Sequence, residues 1–229
     1  MDVKHISIFK DCYLMQRSDI GRFADTLADG FSQYGLFRYI SGKKYDHSSM
    51  SRFWAVSVGL NYEDAICIAD SKEVNSVLIY IPPKSKVPTP LSFLNAGILR
   101  MGLRRFFRLL RFDAEVKDIA KRYKTDDDGY LMAFATRLDR QGRHYGKPLM
   151  DALLRYLDAK GQGCYLETLK PENVWLYERF SFRLKEQKTL KAGNLTMYAM
   201  YRPKNVQGNK KGNNIAVDPM LTLFANLSS

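Results

Sequence analysis

The residues whose types and spacing bear most directly on chemistry are Gln141, Gly142, Arg143, His144, Tyr145, Gly146 and Lys147. They lie between a β-rich run, residues 130–138, and a run with helical spacing, residues 148–160. A glycine-bearing turn that opens a helix is suited to holding phosphate. The first helical N–H groups have no intrahelical acceptor, and the helix dipole adds partial positive charge at that end. Arg137, Arg140, Arg143 and Lys147 surround the turn, with Asp139 the one acid among them. The expected ligand is a polyanion rather than a neutral molecule.

An ordered set of elements must carry this turn. Ser18 or Asp19 caps a predicted helix through about Gln33, in which Ile20, Phe23, Ala24, Leu27 and Phe31 recur at helical spacing and Gly35 marks the end. Residues 52–60 are apolar without a decisive period. Residues 65–69 and 74–81 read as a β-hairpin across Asp70, Ser71, Lys72 and Glu73. Four prolines within residues 82–90 make that stretch a loop. Helical pattern returns over 91–124, with a break expected near Phe112 and Asp113. The strand at 130–138 and the turn follow, then a helix with Leu149, Leu153, Leu154 and Leu157 inward. Gly161 and Gly163 stop it before a strand at 164–168, a short helix at 173–180, and strands at 182–190 and 195–201.

Composition sets the wider bounds. Of 229 residues 45% are hydrophobic and 13% aromatic, enough to bury a core, so a disordered chain is excluded. A net charge of +12 suits an anionic partner. Cys12, Cys67 and Cys164 are odd in number and far apart, so neither a disulfide framework nor a metal site is expected. No apolar run reaches the roughly 18 residues of a spanning helix, and the start does not read as a signal peptide, so a cytoplasmic protein is expected. The expected organisation is one domain over 1–203 and an extension over 204–229. That extension is rich in Asn, Gly and Lys and carries an apolar patch at Met220, Leu221, Leu223 and Phe224. Assembly state is left open, a homodimer included.

Residues 100–111 hold five arginines and no acid. On a helix Arg100, Arg104, Arg108 and Arg111 share one face, with Leu99, Leu103, Phe106 and Leu110 opposite. The expectation is that the apolar side packs on its own domain and the arginines are solvated. The other reading is a surface for anionic lipid or nucleic acid.

Taken together, these pieces resemble the GNAT superfamily of acyl-CoA-dependent N-acetyltransferases. In that family a strand ending in an Ala-Val-like pair is followed, after four residues, by a Gln/Arg-x-x-Gly-x-Gly/Ala loop. Here Ala135 and Thr136 precede Gln141, His144 and Gly146 at that spacing. Leu166-Glu167-Thr168, Asn173-Val174 and Tyr177-Glu178-Arg179-Phe180-Ser181-Phe182 match the downstream pattern. The resemblance covers residues 130–182 and is carried by the ordered combination rather than by the loop alone.

The resemblance implies an α/β fold with a mixed, mostly antiparallel central sheet, splayed at its middle and flanked by helices. It implies acetyl-CoA as co-substrate and an amine of a small molecule or peptide as acceptor, with no nucleic acid partner. Backbone groups of Thr136, Arg137 and Leu138 would pair with the acetyl-pantetheine arm, residues 141–147 would hold the pyrophosphate, and Asn173 would bond the pantetheine region. Tyr177 matches the acid that protonates the departing thiolate, and Glu167 a base for the amine. His144 and Ser181 stand where the family has glycine, which adds a Cβ at two tight places. Those two departures favour, as alternatives, a non-catalytic CoA-binding domain, and the arginine segment a basic binding module. Residues 31–54 and 82–112 are the expected walls of the acceptor pocket.

Overall fold

The apolar, β-branched runs and the alternating pattern after Asp128 form a seven-stranded sheet. Its strands are β1 (Tyr13–Leu14), β2 (Ile66–Ala69), β3 (Ser76–Ile81), β4 (Gly129–Thr136), β5 (Cys164–Thr168), β6 (Arg183–Leu190) and β7 (Leu195–Arg202). The helices are α1 (Ile20–Gly30), α2 (Gly35–Ser41), α3 (His47–Asn61), α4 (Pro90–Asn95), α5 (Leu103–Tyr123), α6 (Lys147–Lys160) and α7 (Pro171–Glu178). The structure is a computed structural model and describes residues 7–42, 45–86, 88–97 and 102–204. Arg100, Leu99 and the apolar patch of the C-terminal extension lie outside them.

The spatial order is β1-β2-β3-β4-β5-β7-β6. The pair β4–β5 is parallel, because α6 carries the chain back between them, and the other pairs are antiparallel. β3 and β4 pair from Ser76↔Thr136 to Ile81↔Tyr130, and β5 and β7 pair along all of β5. Between β4 and β5 the pairing stops after Gly129↔Cys164 and Tyr130↔Tyr165. The sheet is therefore parted down its middle.

Two features produce the parting. Register shifts so that Ile79 faces Ala133 while Tyr80 faces Leu131, leaving Met132 as an extra residue that bends and twists β4. The opposite end is fastened. Gly129 N donates to Gly163 O at 3.0 Å, and the Asp128 carboxylate accepts from Thr125 N, Thr125 Oγ1 and Tyr201 Oη. A Cβ at Gly129 would strike the Tyr80 ring, and one at Gly163 would strike Tyr201, so glycine permits the strands to close there. Pinned at one end and free at the other, β4 and β5 form a V.

Three apolar clusters hold this frame. One packs α1, α2 and α3 on one face of β2–β4, a second packs α6 and α7 on the opposite face, and a third lies under α5 against β5 and β7.

Several sequence expectations are corrected here. α1 stops at Gly30, where a Cβ would come within 2.7 Å of Thr136 O, and Gly35 opens α2 instead of ending α1. Residues 52–60 belong to α3, whose cap Asp46 accepts from Ser49 N at 3.2 Å. α5 runs unbroken past Phe112, which is buried, and Asp113, which pairs with Lys117 at 2.7 Å. The interruption lies upstream, at Gly97 and Gly102, both with positive φ. β4 ends at Thr136, because Leu138 to Arg140 form a 3-10 turn, with Leu138 N held by Asp29 Oδ2 at 2.7 Å.

The arginine helix also differs from expectation. Phe106, Phe112, Val116 and Ile119 set its inward face, which turns Leu103 outward at 61% exposure. Arg105 bonds Ser49 Oγ at 2.9 Å, while Arg108 bonds Tyr39 O at 3.0 Å and lies over the Tyr39 ring. Arg105, and Arg108 from the stripe, thus fasten α5 to α3 and α2, and Arg104 and Arg111 remain exposed.

Candidate active site

The turn expected to hold phosphate sits at the N-terminus of α6, with Gly146 as its cap residue. Among the described residues, the amides of Gly142, Arg143, His144, Tyr145 and Gly146 donate to no protein acceptor. The turn is not filled by its own side chains: Gln141 reaches back to Thr136 O at 3.1 Å, and Lys147 bonds Asp151 at 2.6 Å. A Cβ at Gly146 would lie 2.6 Å from the Phe134 ring of β4, so any side chain there must displace that ring. His144 has φ +62° and Ser181 φ +65°. Both residues at family glycine positions thus occupy the left-handed region that glycine enters without steric cost.

A cleft of about 350 Å³ opens at the parted strands. Glu167 of β5 lines it, and its Oε1 accepts a short hydrogen bond from Tyr130 Oη of β4. Its Oε2 is shielded from water and has no partner among the described residues. Burial pushes the Glu167 carboxyl up to about 7, against the lowering effect of the Tyr130 bond and with a further push from Asp113. A carboxyl balanced near neutrality can take up and release a proton at working pH.

Tyr177, near the end of α7, lines the same cleft and packs edge-on against Phe182 at 5.8 Å. Burial, with smaller pushes from Tyr34, Cys164 and Glu167, raises its hydroxyl far above the ordinary tyrosine value, so it stays protonated. Asn173 lines the cleft one turn earlier and donates to Thr168 Oγ1 at 3.1 Å. Tyr34 receives Leu169 N at 2.5 Å and meets Thr168 Oγ1 at 3.2 Å, tying α2's approach to the end of β5.

The remaining wall is aromatic. Phe31 stacks on Trp54 at 5.4 Å and meets Tyr34 at 5.2 Å, and Trp54 packs against Phe37 and Phe53. Phe93 and Phe106 also line the cleft, as expected for the two wall segments.

The fold brings Glu167, Tyr177 and Asn173 to one cleft and sets the turn at the end of the strand that forms its other edge. Arg137 N is taken by Asn75 O at 2.9 Å and Leu138 N by Asp29, so the β4 backbone left open toward β5 lies over residues 131–136. Of the three residues expected to present a strand edge, Thr136 alone belongs to it. Sequence reasoning missed Tyr34, Tyr130 and Asp113. A tyrosine at the second position of a strand after an acidic turn was the available signal for Tyr130. Nothing local marks the other two.

Among the described residues no cluster of His, Cys, Asp and Glu is placed to hold a metal ion, and no helix is long and apolar enough to cross a membrane. No protein-family sequence model matches the chain, and no curated protein sequence does. Solved structures match over nearly their whole length. A histone acetyltransferase HPA2-related acetyltransferase from Corynebacterium glutamicum is 15% identical with a TM-score of 0.59, covering 87% of this chain and 99% of its own. A mosquito arylalkylamine N-acetyltransferase-like protein is 14% identical with a TM-score of 0.57, covering 83% and 98%. The polyamine N-acetyltransferase of Drosophila melanogaster is 9% identical with a TM-score of 0.56, covering 83% and 97%. The parted mixed sheet, the glycine-bearing turn ahead of α6 and these matches agree: the chain has the fold of the GNAT superfamily of N-acetyltransferases.

Proposed function

We propose that this protein is an N-acetyltransferase that takes acetyl-CoA as acyl donor and a primary amine as acceptor. The observation that carries the reading is the V between β4 and β5, with unpartnered amides at the turn beyond it and Glu167 and Tyr177 on its walls. The amides of residues 142–146 and the side chains of Arg143 and Lys147 would seat the diphosphate. The open β4 backbone and Asn173 would hold the pantetheine arm. The thioester supplies an acetyl group already activated for attack.

In the transfer, the amine nitrogen forms a bond to the carbonyl carbon and the carbon–sulfur bond breaks. Glu167 accepts the proton that the nitrogen must lose. Tyr177 gives a proton to the departing thiolate and regains one from solvent. Its raised hydroxyl keeps that proton in place until the leaving group is basic enough to take it. Fixing both reactants in the V supplies the larger share of the rate.

Two measurements test the reading together: thermal unfolding with and without CoA, and thiol release from acetyl-CoA over an amine panel. CoA is expected to raise the melting temperature, and at least one amine to drive thiol release. Tyr177→Phe keeps the packing on Phe182 and is expected to lower kcat by roughly 10²-fold with CoA affinity unchanged. Full turnover in that variant would remove the assigned acid, and CoA binding without turnover on any amine would leave a binding domain.

A further inference from the structure

The walls of the cleft say more about the acceptor than its proton-handling groups do. Resting on the transferase reading above, we infer that the acceptor is a monoamine whose nitrogen is borne by an apolar, largely flat body, and not a polyamine, an amino acid or an aminosugar.

The aromatic wall starts at the reacting end. Tyr34 is bonded to Leu169 N beside Glu167's strand, its ring meets Phe31, and Phe31 stacks on Trp54, which packs on Phe37 and Phe53. Phe93 of α4 and Phe106 of α5 line the same space. The charged side chains lining the cleft among the described residues are Lys86, Asp113, Lys117 and Glu167. Asp113 and Lys117 pair with each other at 2.7 Å, and Lys86 is exposed at the rim. That leaves one carboxyl on the inner wall with no cation beside it among the described residues, that of Glu167, next to the aromatic surface.

One carboxylate accommodates one ammonium. A second ammonium, or a carboxylate, on the acceptor would leave water for a wall of rings whose other charged groups, Asp113 and Lys117, are already paired with each other. Apolar surface gains instead: each methylene laid on the wall raises kcat/KM about fourfold.

The test is a kcat/KM series by thiol release from acetyl-CoA with tryptamine, phenethylamine and hexylamine against putrescine, spermidine, glycinamide and glucosamine. A parallel series uses octanoyl-CoA. Three to four buried methylenes predict that the apolar monoamines exceed putrescine by roughly 100-fold. Phe93→Asp, at a partly exposed wall position, is expected to narrow that gap at least tenfold while the rise in melting temperature with CoA stays as in the parent. Equal or better turnover of putrescine, glycinamide or glucosamine overturns the acceptor class and leaves the transferase reading intact. So does a preference for octanoyl-CoA that Phe93→Asp abolishes, because the cleft would then hold the donor's acyl chain. Absence of thiol release with every amine defeats the transferase reading itself.

Discussion

The turn ahead of α6 and the cleft beside Glu167 belong to one candidate site but are built in opposite ways. The turn is contiguous in the chain, exposed and basic, and what it offers a ligand is backbone N–H. The cleft is assembled from side chains on the α1–α2 connection, α2 to α5, α7 and β3 to β5, is lined by rings, and holds one carboxyl shifted by burial. A backbone site tolerates exchange of its side chains but not the addition of a Cβ where strands pass. A side-chain site is the reverse, since its properties live in individual groups.

The largest expected effect beyond the Tyr177 variant belongs to the cleft. In the folded chain Glu167 titrates near 7 against an ordinary value of 4.5, so the fold favours the protonated carboxyl. Folded and unfolded states are equally protonated below about pH 4.5. Between there and pH 7 the unfolded state releases a proton that the folded state keeps, and stability falls as pH rises. Glu167→Gln removes this loss. It is expected to match the parent near pH 4.5 and to exceed it by roughly 3 kcal/mol above pH 7 in urea unfolding. It should also erase the acidic limb of the rate profile near pH 7. A parent whose stability is flat over that range would show that Glu167 is solvated and the contrast between the two regions overstated.

Next in size is Gly146→Val. The added carbon would meet Phe134 at 2.6 Å, so overpacking should cost about 1–3 kcal/mol in thermal or urea unfolding. CoA affinity should fall while the KM for the amine changes little. Arg143→Ala, in contrast, should preserve stability and weaken CoA only modestly, since the guanidinium is exposed. If the two variants lose CoA equally, side-chain charge rather than backbone geometry holds the ligand.

The smallest effect concerns the two left-handed residues. Ser181→Gly and His144→Gly each relieve a positive φ and are expected to stabilise by about 1 kcal/mol or less, because glycine's greater freedom in the unfolded chain offsets part of the gain. Only His144→Gly should also move CoA affinity, since Ser181 lies outside the turn.

What could be read from the chain divides along the same line. The hairpin of β2 and β3, the turn before α6, and the β5–α7 sequence carry their signals within a few neighbouring residues, and the structure has them at or within a few residues of the expected bounds. Errors arose where a distant contact decides the outcome. Gly30, the last residue of α1, has no room for a Cβ because Thr136 of β4 passes close by, and Leu138 leaves the strand with its amide held by Asp29. Leu103 turns outward because the aromatic residues later in α5 set the helix phase against α2 and α3. Of the candidate site, Glu167 and Tyr177 were named from resemblance, whereas Tyr34, Tyr130 and Asp113 came only from the folded chain.

By itself the sequence determined the element types over most of the chain, the glycine turn at a helix start, and the positive field around it. These follow from local periodicity, turn chemistry and composition, which act over a few residues. Tertiary structure alone decided that β4 and β5 part after two paired positions, that Tyr130 reaches Glu167 across the join, and that rings from α2 to α5, α7, β4 and the α1–α2 connection surround one buried carboxyl. Strand divergence, desolvation and a shifted proton affinity are properties of surfaces brought together, and no stretch of chain carries them before it folds.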